Sequence, residues 1–288
     1  MRIGVTGGSS AIGKTVIRKC QQNGHEVVEL TRTITKPSQR CFDLASDVSK
    51  IKVTDLDAII HLGWDRKLDK QSGLQVSVTG SKGLVDKCKE FKVKLVFLSS
   101  TSASKSSESI YGRSKYLVEE YVLDNGFIVV RSGLIWGVEL SGFNRSLHRI
   151  ANTPKVGIRL LPDPLIKYTE AESLARYLVD CVNCDDNVSF RRYFVNGEIK
   201  LSKILESMRI RHTKIWFGIH IRMIYLVARI LQACKISLPF NVDSLRSIET
   251  LTTGSEYNTC RNEGTAISVN SLIQWIDRMN FDCKAISK

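Results

Sequence analysis

The chain has 288 residues, 43% hydrophobic and 25% charged, with only 5 prolines. That composition fits one large globular domain or two closely joined ones, and excludes a disordered or collagen-like chain. Lys and Arg number 42 against 29 Asp and Glu, a net charge of +13, which suits an anionic partner: nucleotide phosphates, nucleic acid or an acidic membrane surface.

Arg2-Ile3-Gly4-Val5 reads as a short buried strand. Thr6-Gly7-Gly8-Ser9-Ser10-Ala11-Ile12-Gly13 follows it, and then a helix to about Asn23-Gly24. Strand, glycine-rich turn and helix in that order is the context of a phosphate-binding turn. Small residues let the backbone approach a pyrophosphate, and the helix N-terminus offers free N–H groups. The bland alternative is a tight turn that holds no ligand. The start Met1-Arg-Ile-Gly-Val-Thr has no apolar run of signal-peptide length, and the eight cysteines are scattered. Both point to reduced thiols in a cytoplasmic protein.

His25 to Leu30 is the expected second strand. In a dinucleotide fold the end of this strand meets the adenosine ribose: an acid there accepts from a free 2′-hydroxyl, and a neutral residue followed by Arg suits a 2′-phosphate. Thr31 and Arg32 favour NADP, while Glu29 two residues earlier keeps NAD open. Leu56 to Leu62 is a further buried strand running into Gly63-Trp64. A helix over 72–90 puts Leu74, Val78, Leu84, Val85 and Cys88 toward the core. Lys94 to Leu98 is a strand leading into the hydroxyl-rich Ser99-Ser100-Thr101-Ser102, which is either a ligand-facing strand end or a solvated linker.

Next comes a helix bearing Tyr111-Gly-Arg-Ser-Lys115, with Leu117, Val118, Tyr121 and Val122 on its inner side, followed by a strand over Phe127 to Arg131. Tyr111 and Lys115 are four apart, so they share one helix face. A positive charge beside a phenol favours phenolate and makes tyrosine usable as a proton donor or acceptor. Such a pair on its own is also common on solvated helix faces. Alternating strands and helices with short connections imply an α/β protein with a doubly wound parallel sheet.

With these pieces in order, the chain resembles an extended short-chain dehydrogenase/reductase of the NAD-dependent epimerase/dehydratase family acting on nucleotide sugars. The resemblance rests on the 6–13 turn, Asp43-Leu44, His61-Leu62-Gly63, Ser99-Ser100-Thr101, Tyr111 to Lys115 and Arg131-Ser-Gly-Leu-Ile-Trp-Gly137. It covers about residues 1–137 and weakens toward 200. It implies Tyr111 as catalytic acid/base, Lys115 holding the nicotinamide ribose, and Thr101 bonding the substrate oxygen. It also implies that Gly7, Ser9, Ser10, Ala11, Ile12 and Gly13 cradle the pyrophosphate and that Arg32 meets the ribose end. Asp43 and Leu44 would border the adenine, and Leu62 and Gly63 would line the cofactor channel. Thr101 is followed by Ser102-Ala103 where dehydratases of the family carry acids, which leaves epimerisation or ketone reduction. A non-catalytic dinucleotide-binding scaffold or sensor is the rival reading. Nucleic-acid binding ranks below both, because the basic residues are not set among stacking aromatics.

Beyond Gly137 the expectation is a smaller, mostly helical substrate-binding lobe over 141–167 and 198–288. Residues 1–140 form the dinucleotide-binding domain, completed by about 168–197. Asn144, Arg145, Arg149 and Arg159 are candidates for a nucleotide diphosphate. Tyr168-Thr-Glu-Ala-Glu-Ser is expected to begin a helix reaching Val182 with Leu174, Leu178 and Cys181 inward, and Arg192 to Gly197 to return as a final strand. Cys181 and Cys184 have CxxC spacing but read as a helix end, with no metal expected. Residues 211–238 are expected to contain an apolar helix, from Ile215 to Leu238, with Arg211, Arg222 and Arg229 on one stripe. That suits peripheral contact with the inner face of a membrane, or burial in the lobe or a homodimer.

Overall fold

The computed structural model describes every residue except 47, 49–50, 66–70, 140–141, 154–155, 185–188, 210–214, 221–222, 224–260 and 287–288. Its main layer is a seven-stranded parallel sheet in the order β10-β6-β5-β4-β1-β2-β3. The strands are β1 (Arg2–Thr6), β2 (Glu26–Thr31), β3 (Gln39–Cys41), β4 (Ala58–His61), β5 (Lys94–Ser100), β6 (Ile128–Ser132) and β10 (Phe190–Phe194). The chain order reverses between β1 and β4, and open α/β sheets bind ligands beyond the carboxyl ends of the strands at such a switch point.

Period-two alternation within the strands builds two cores. Ile3, Val5, Ala58, Ile60, Val96 and Leu98 face one side, where they meet Val16 and Cys20 of α1 (Ala11–Gln22) and Leu174, Leu178 and Cys181 of α5 (Ala171–Val182). Ile59, Leu95, Phe97 and Val129 face the other, against Leu84, Val85 and Cys88 of α2 (Gln71–Glu90) and Val118 and Val122 of α3 (Ile110–Asp124). Helices on both faces of a parallel sheet make the doubly wound fold. Val78 packs at the margin of this second core, and the side chain of Leu74 lies outside the described part.

Leu117 departs from expectation. It is 52% exposed, because the inward face of α3 is centred on Lys115, Val118, Glu119 and Val122, and 100° per residue carries position 117 off it.

After β6 the chain leaves the main sheet. β7 (Leu134–Trp136), β9 (Leu165–Glu170) and β11 (Gly197–Lys200) form a small sheet in the order β11-β9-β7, and β8 (Val156–Leu161) pairs in parallel with β12 (Ile215–His220). With α4 (Gly142–Ala151), α6 (Leu201–Ser207) and α7 (Val269–Ile286) they enclose a third core around Trp136, Leu147, Tyr168, Ile204 and Ile276.

Two expectations are corrected here. Tyr168 to Glu170 end a strand instead of opening a helix: Ile166 and Tyr168 point inward while Leu165 points out. Glu170 is then the N-cap of α5, its carboxylate accepting from the Ser173 N–H at 3.0 Å. Residues 215–220 are likewise a strand, not the start of an apolar helix. The remainder of 211–238, with Arg211, Arg222 and Arg229 and except for Met223, lies outside the described residues. Among the described residues no helix is long and apolar enough to cross a membrane.

Candidate active site

The glycine-rich turn is shaped by contacts that leave no room for a side chain at Gly7 or Gly13. A Cβ on Gly13 would lie 2.2 Å from the Gly7 carbonyl oxygen, and one on Gly7, which sits at φ +69, would lie 2.9 Å from the Gly63 nitrogen. The turn after β1 and the Leu62-Gly63 turn after β4 therefore touch at the switch point of the sheet. Ser10 is the N-cap of α1: its hydroxyl accepts from the Gly13 N–H at 3.1 Å and donates to the Gly7 carbonyl at 2.8 Å. Ser9 is exposed and Ala11 half-buried, while Ile12 packs against the core. A tight turn with no space for a Cβ at Gly7 or Gly13, at the head of a 12-residue helix, fits a dinucleotide pyrophosphate.

A buried relay fixes the second turn. The Thr6 hydroxyl accepts from the backbone N–H groups of Leu62 (3.0 Å) and Gly63 (2.9 Å). Its proton is thus left for Nδ1 of His61, 2.7 Å away, so Nε2 carries the ring hydrogen and donates to the Ser81 hydroxyl at 2.9 Å. Burial, reinforced by the Lys115 charge, lowers the His61 pKa to about 3. The imidazole is a neutral structural bridge between the strand end and α2.

At the end of β2, where the resemblance implies the ribose, Arg32 follows the last strand residue and is paired with Asp65 at 3.4 Å while remaining mostly exposed. Glu29 lies beside the phosphate turn, its carboxylate oxygen 3.6 Å from where a Gly8 Cβ would stand, and it accepts from the Gln39 amide at 3.0 Å. Asp43 closes a turn in which its carboxylate accepts from the Ala45 N–H at 3.1 Å. Leu44 is pressed against α2, where a Gly80 Cβ would meet its carbonyl oxygen at 2.4 Å. Arg32, Asp43 and Leu44 thus collect at one end of the sheet, beside β2 and β3.

Tyr111 lies in the first turn of α3, which Ser109 caps by accepting from the Gly112 N–H at 3.2 Å. A Cβ on Gly112 would be 2.4 Å from both the Ser102 carbonyl oxygen and the Ser107 hydroxyl. The hydroxyl-rich loop is therefore folded tightly under the turn that carries Tyr111. Thr101 is half-buried at the end of β5, and its N–H donates to the Ser132 carbonyl at 2.9 Å.

Lys115 is 2% exposed. Its ammonium donates to the Leu98 carbonyl at 2.9 Å and lies 4.1 Å from the Trp64 ring centroid, 4.5 Å from that of Phe97 and 6.0 Å from that of Tyr111. Carbonyl and aromatic faces together make this buried charge tolerable. Trp64 stands nearly perpendicular to Tyr111, at 85° and 6.0 Å between centroids. Sequence reasoning did not single out Trp64, which these contacts bring beside Tyr111 and Lys115. The one signal was an aromatic directly after a strand that ends at the switch point.

The second half contributes less. Asn144 is buried, with its amide donating to the Ile135 carbonyl at 2.6 Å and its Oδ1 without a partner among the described residues. Arg145 and Arg149 are exposed. Arg159 is engaged in an ion pair with Glu206 at 2.9 Å. The end of α5, with Cys184, is held by Lys94, whose ammonium donates to the Val182 and Cys184 carbonyls at 3.4 and 2.8 Å. Among the described residues no group of acids, histidines and cysteines is arranged to hold a metal.

The fold has counterparts among solved structures. The UDP-glucose 4-epimerase of Thermotoga maritima, solved with UDP-glucose, superposes with a TM-score of 0.66 at 14% identity over 100% of both chains. A hypothetical dTDP-4-dehydrorhamnose reductase of Sulfolobus tokodaii gives 0.60 at 16% identity, covering 75% of this chain and 86% of that one. The Thermus thermophilus UDP-glucose 4-epimerase, in complex with NAD, gives 0.59 at 16% identity, over 88% of this chain and 100% of that one. No curated protein sequence matches the chain. Residues 1–210 match the family described as the RmlD substrate binding domain. That match, on the geometry above, identifies the chain as a member of this family and an enzyme of the NAD(P)-dependent extended short-chain dehydrogenase/reductase type.

Proposed function

We propose that the chain is an NADP(H)-dependent 4-epimerase or 4-keto reductase of a nucleotide-activated sugar, serving surface polysaccharide synthesis. The observation that supports this reading is that the glycine turn after β1, through Gly63, and the Tyr111–Lys115 face of α3, through Trp64, meet at one switch point. A nicotinamide bound there supplies the hydride donor or acceptor. Tyr111 transfers a proton between its phenolic oxygen and the sugar oxygen at the reacting carbon. Lys115 holds a fixed positive charge on the same helix face, which stabilises negative charge developing on the phenolic oxygen, and it binds the ribose of the nicotinamide. Thr101 hydrogen-bonds the reacting oxygen and orients it toward Tyr111.

Ser102 and Ala103 after Thr101 offer no carboxylate for the elimination step of a dehydratase. Thr31 and Arg32 at the β2 end support the 2′-phosphorylated cofactor. In this reading residues 1–140 and about 168–197 hold the cofactor, and 141–167 with 198–288 hold the sugar nucleotide, the exposed Arg145 and Arg149 being the candidates for its diphosphate.

The test is a panel of UDP-, dTDP- and GDP-sugars and their 4-keto forms, followed by NADPH absorbance and by product analysis. Net NADPH oxidation identifies a reductase, and interconversion without net oxidation identifies an epimerase. No turnover across the panel refutes the proposal.

A further inference from the structure

Trp64 occupies a place in the cleft that none of the motifs accounts for. On its N-terminal side Gly63 touches the phosphate turn at Gly7. On its other side its ring covers the Lys115 ammonium at 4.1 Å and crosses Tyr111 almost at right angles. It therefore stands between the two regions that one dinucleotide must join, the pyrophosphate cradle and the Tyr–Lys pair. The ring is well engaged, and these contacts fix its plane. The one polar atom of its side chain is not engaged: Nε1 is buried with no hydrogen-bond partner among the described residues. An indole N–H can only donate, and burying it without an acceptor costs free energy that a ligand oxygen would recover. The residue as a whole is only half-buried, so part of it remains accessible beside these contacts.

We propose that Trp64 is a cofactor-binding residue, its indole N–H donating to an oxygen of the nicotinamide half of the dinucleotide while its ring face holds Lys115 in register with Tyr111. The proposal rests on the reading of this cleft as a dinucleotide site, and the experiment separates the two. Calorimetric titration of the full chain measures Kd for whichever of NADPH and NADH it binds, and for the matching adenine half, 2′,5′-ADP or ADP.

Trp64→Phe keeps an aromatic face and lacks the N–H. A second variant carries benzothienylalanine at position 64, which keeps the bicyclic shape and also lacks the N–H. In both, dinucleotide binding should weaken about tenfold, the loss of one hydrogen bond, with the adenine half unaffected within about twofold. Unchanged dinucleotide affinity in the benzothienyl variant overturns the proposal. So does equal weakening of dinucleotide and adenine half, which makes Trp64 a support of the fold alone. If the unsubstituted chain binds neither dinucleotide, the cofactor reading itself falls and Trp64 with it.

Discussion

Removing Glu119 should loosen the helix that carries Tyr111 and Lys115. Tyr111, Lys115 and Glu119 fall at successive four-residue steps on α3, and Glu119 and Arg131 are 0% and 1% exposed at the side chain. Arg131 of β6 donates to Glu119 through Nε at 2.9 and 3.0 Å and Nη2 at 2.6 Å, and to the Tyr193 hydroxyl of β10 through Nη1 at 2.7 Å. Glu119→Ala leaves that guanidinium buried with its carboxylate gone and the tyrosine oxygen remaining. The expected loss is about 3–5 kcal/mol, the cost of breaking rather than replacing a buried ion pair. Glu119→Leu combined with Arg131→Met removes both buried charges together, while Arg191, 3.3 Å from Glu119, keeps Glu120 as its partner, so the cost should fall well below that of Glu119→Ala, since apolar replacement of a buried pair is often neutral. Urea unfolding at neutral pH measures both, with the m-value as a check that the unfolding transition is otherwise unchanged. A loss under about 1 kcal/mol for Glu119→Ala would refute the reasoning. So would a double variant as unstable as the two single variants summed.

Two further outcomes follow from the cofactor side of the sheet. His61 is held neutral in the fold with a pKa near 3, whereas in the unfolded chain it takes a proton below about 6.5. Its contribution is intact above that value and falls by about 1.4 kcal/mol per pH unit as pH drops toward 3. The urea midpoint of His61→Gln, followed from pH 7 down to about 4.5, should therefore decline less steeply than that of the unsubstituted chain; parallel slopes contradict the assignment. Arg32→Ser should weaken NADPH about tenfold and leave NADH within about twofold, as expected for loss of one charge-assisted contact to a 2′-phosphate. Equal effects on both cofactors in direct titration would remove Arg32 from the ribose end.

The half of the molecule with local signals was readable from the residues. The strand, glycine turn and helix of 2–22 follow one another with a serine cap and small residues where the backbone must approach closely, so sequence and structure agree there nearly residue for residue. The failures occurred where long-range pairing decides. Leu165 to Glu170 alternate like a strand, and the acids Glu170 and Glu172 mark the true start of α5 at Ala171, just after Tyr168; the strand forms up to that cap because β7 and β11 flank it from distant positions. Ile215 to His220 is an apolar run that periodicity alone cannot assign; its partner β8 lies more than fifty residues earlier. The spacing of Tyr111 and Lys115 fixed their common face but not the carbonyl of Leu98 and the Trp64 ring that hold the ammonium. Those contacts arise from separate strands meeting at the switch point, and no local pattern encodes them.

The central claim is that Tyr111 moves the proton in a reaction of a nucleotide sugar. Its most direct test is Tyr111→Phe, assayed for turnover with the substrate found in the sugar panel and, on the same preparation, titrated for cofactor affinity. The account predicts that kcat falls by about 10²–10⁴, the usual contribution of a positioned general acid or base, while the cofactor Kd changes by less than about threefold. Turnover at the level of the unsubstituted enzyme would contradict it.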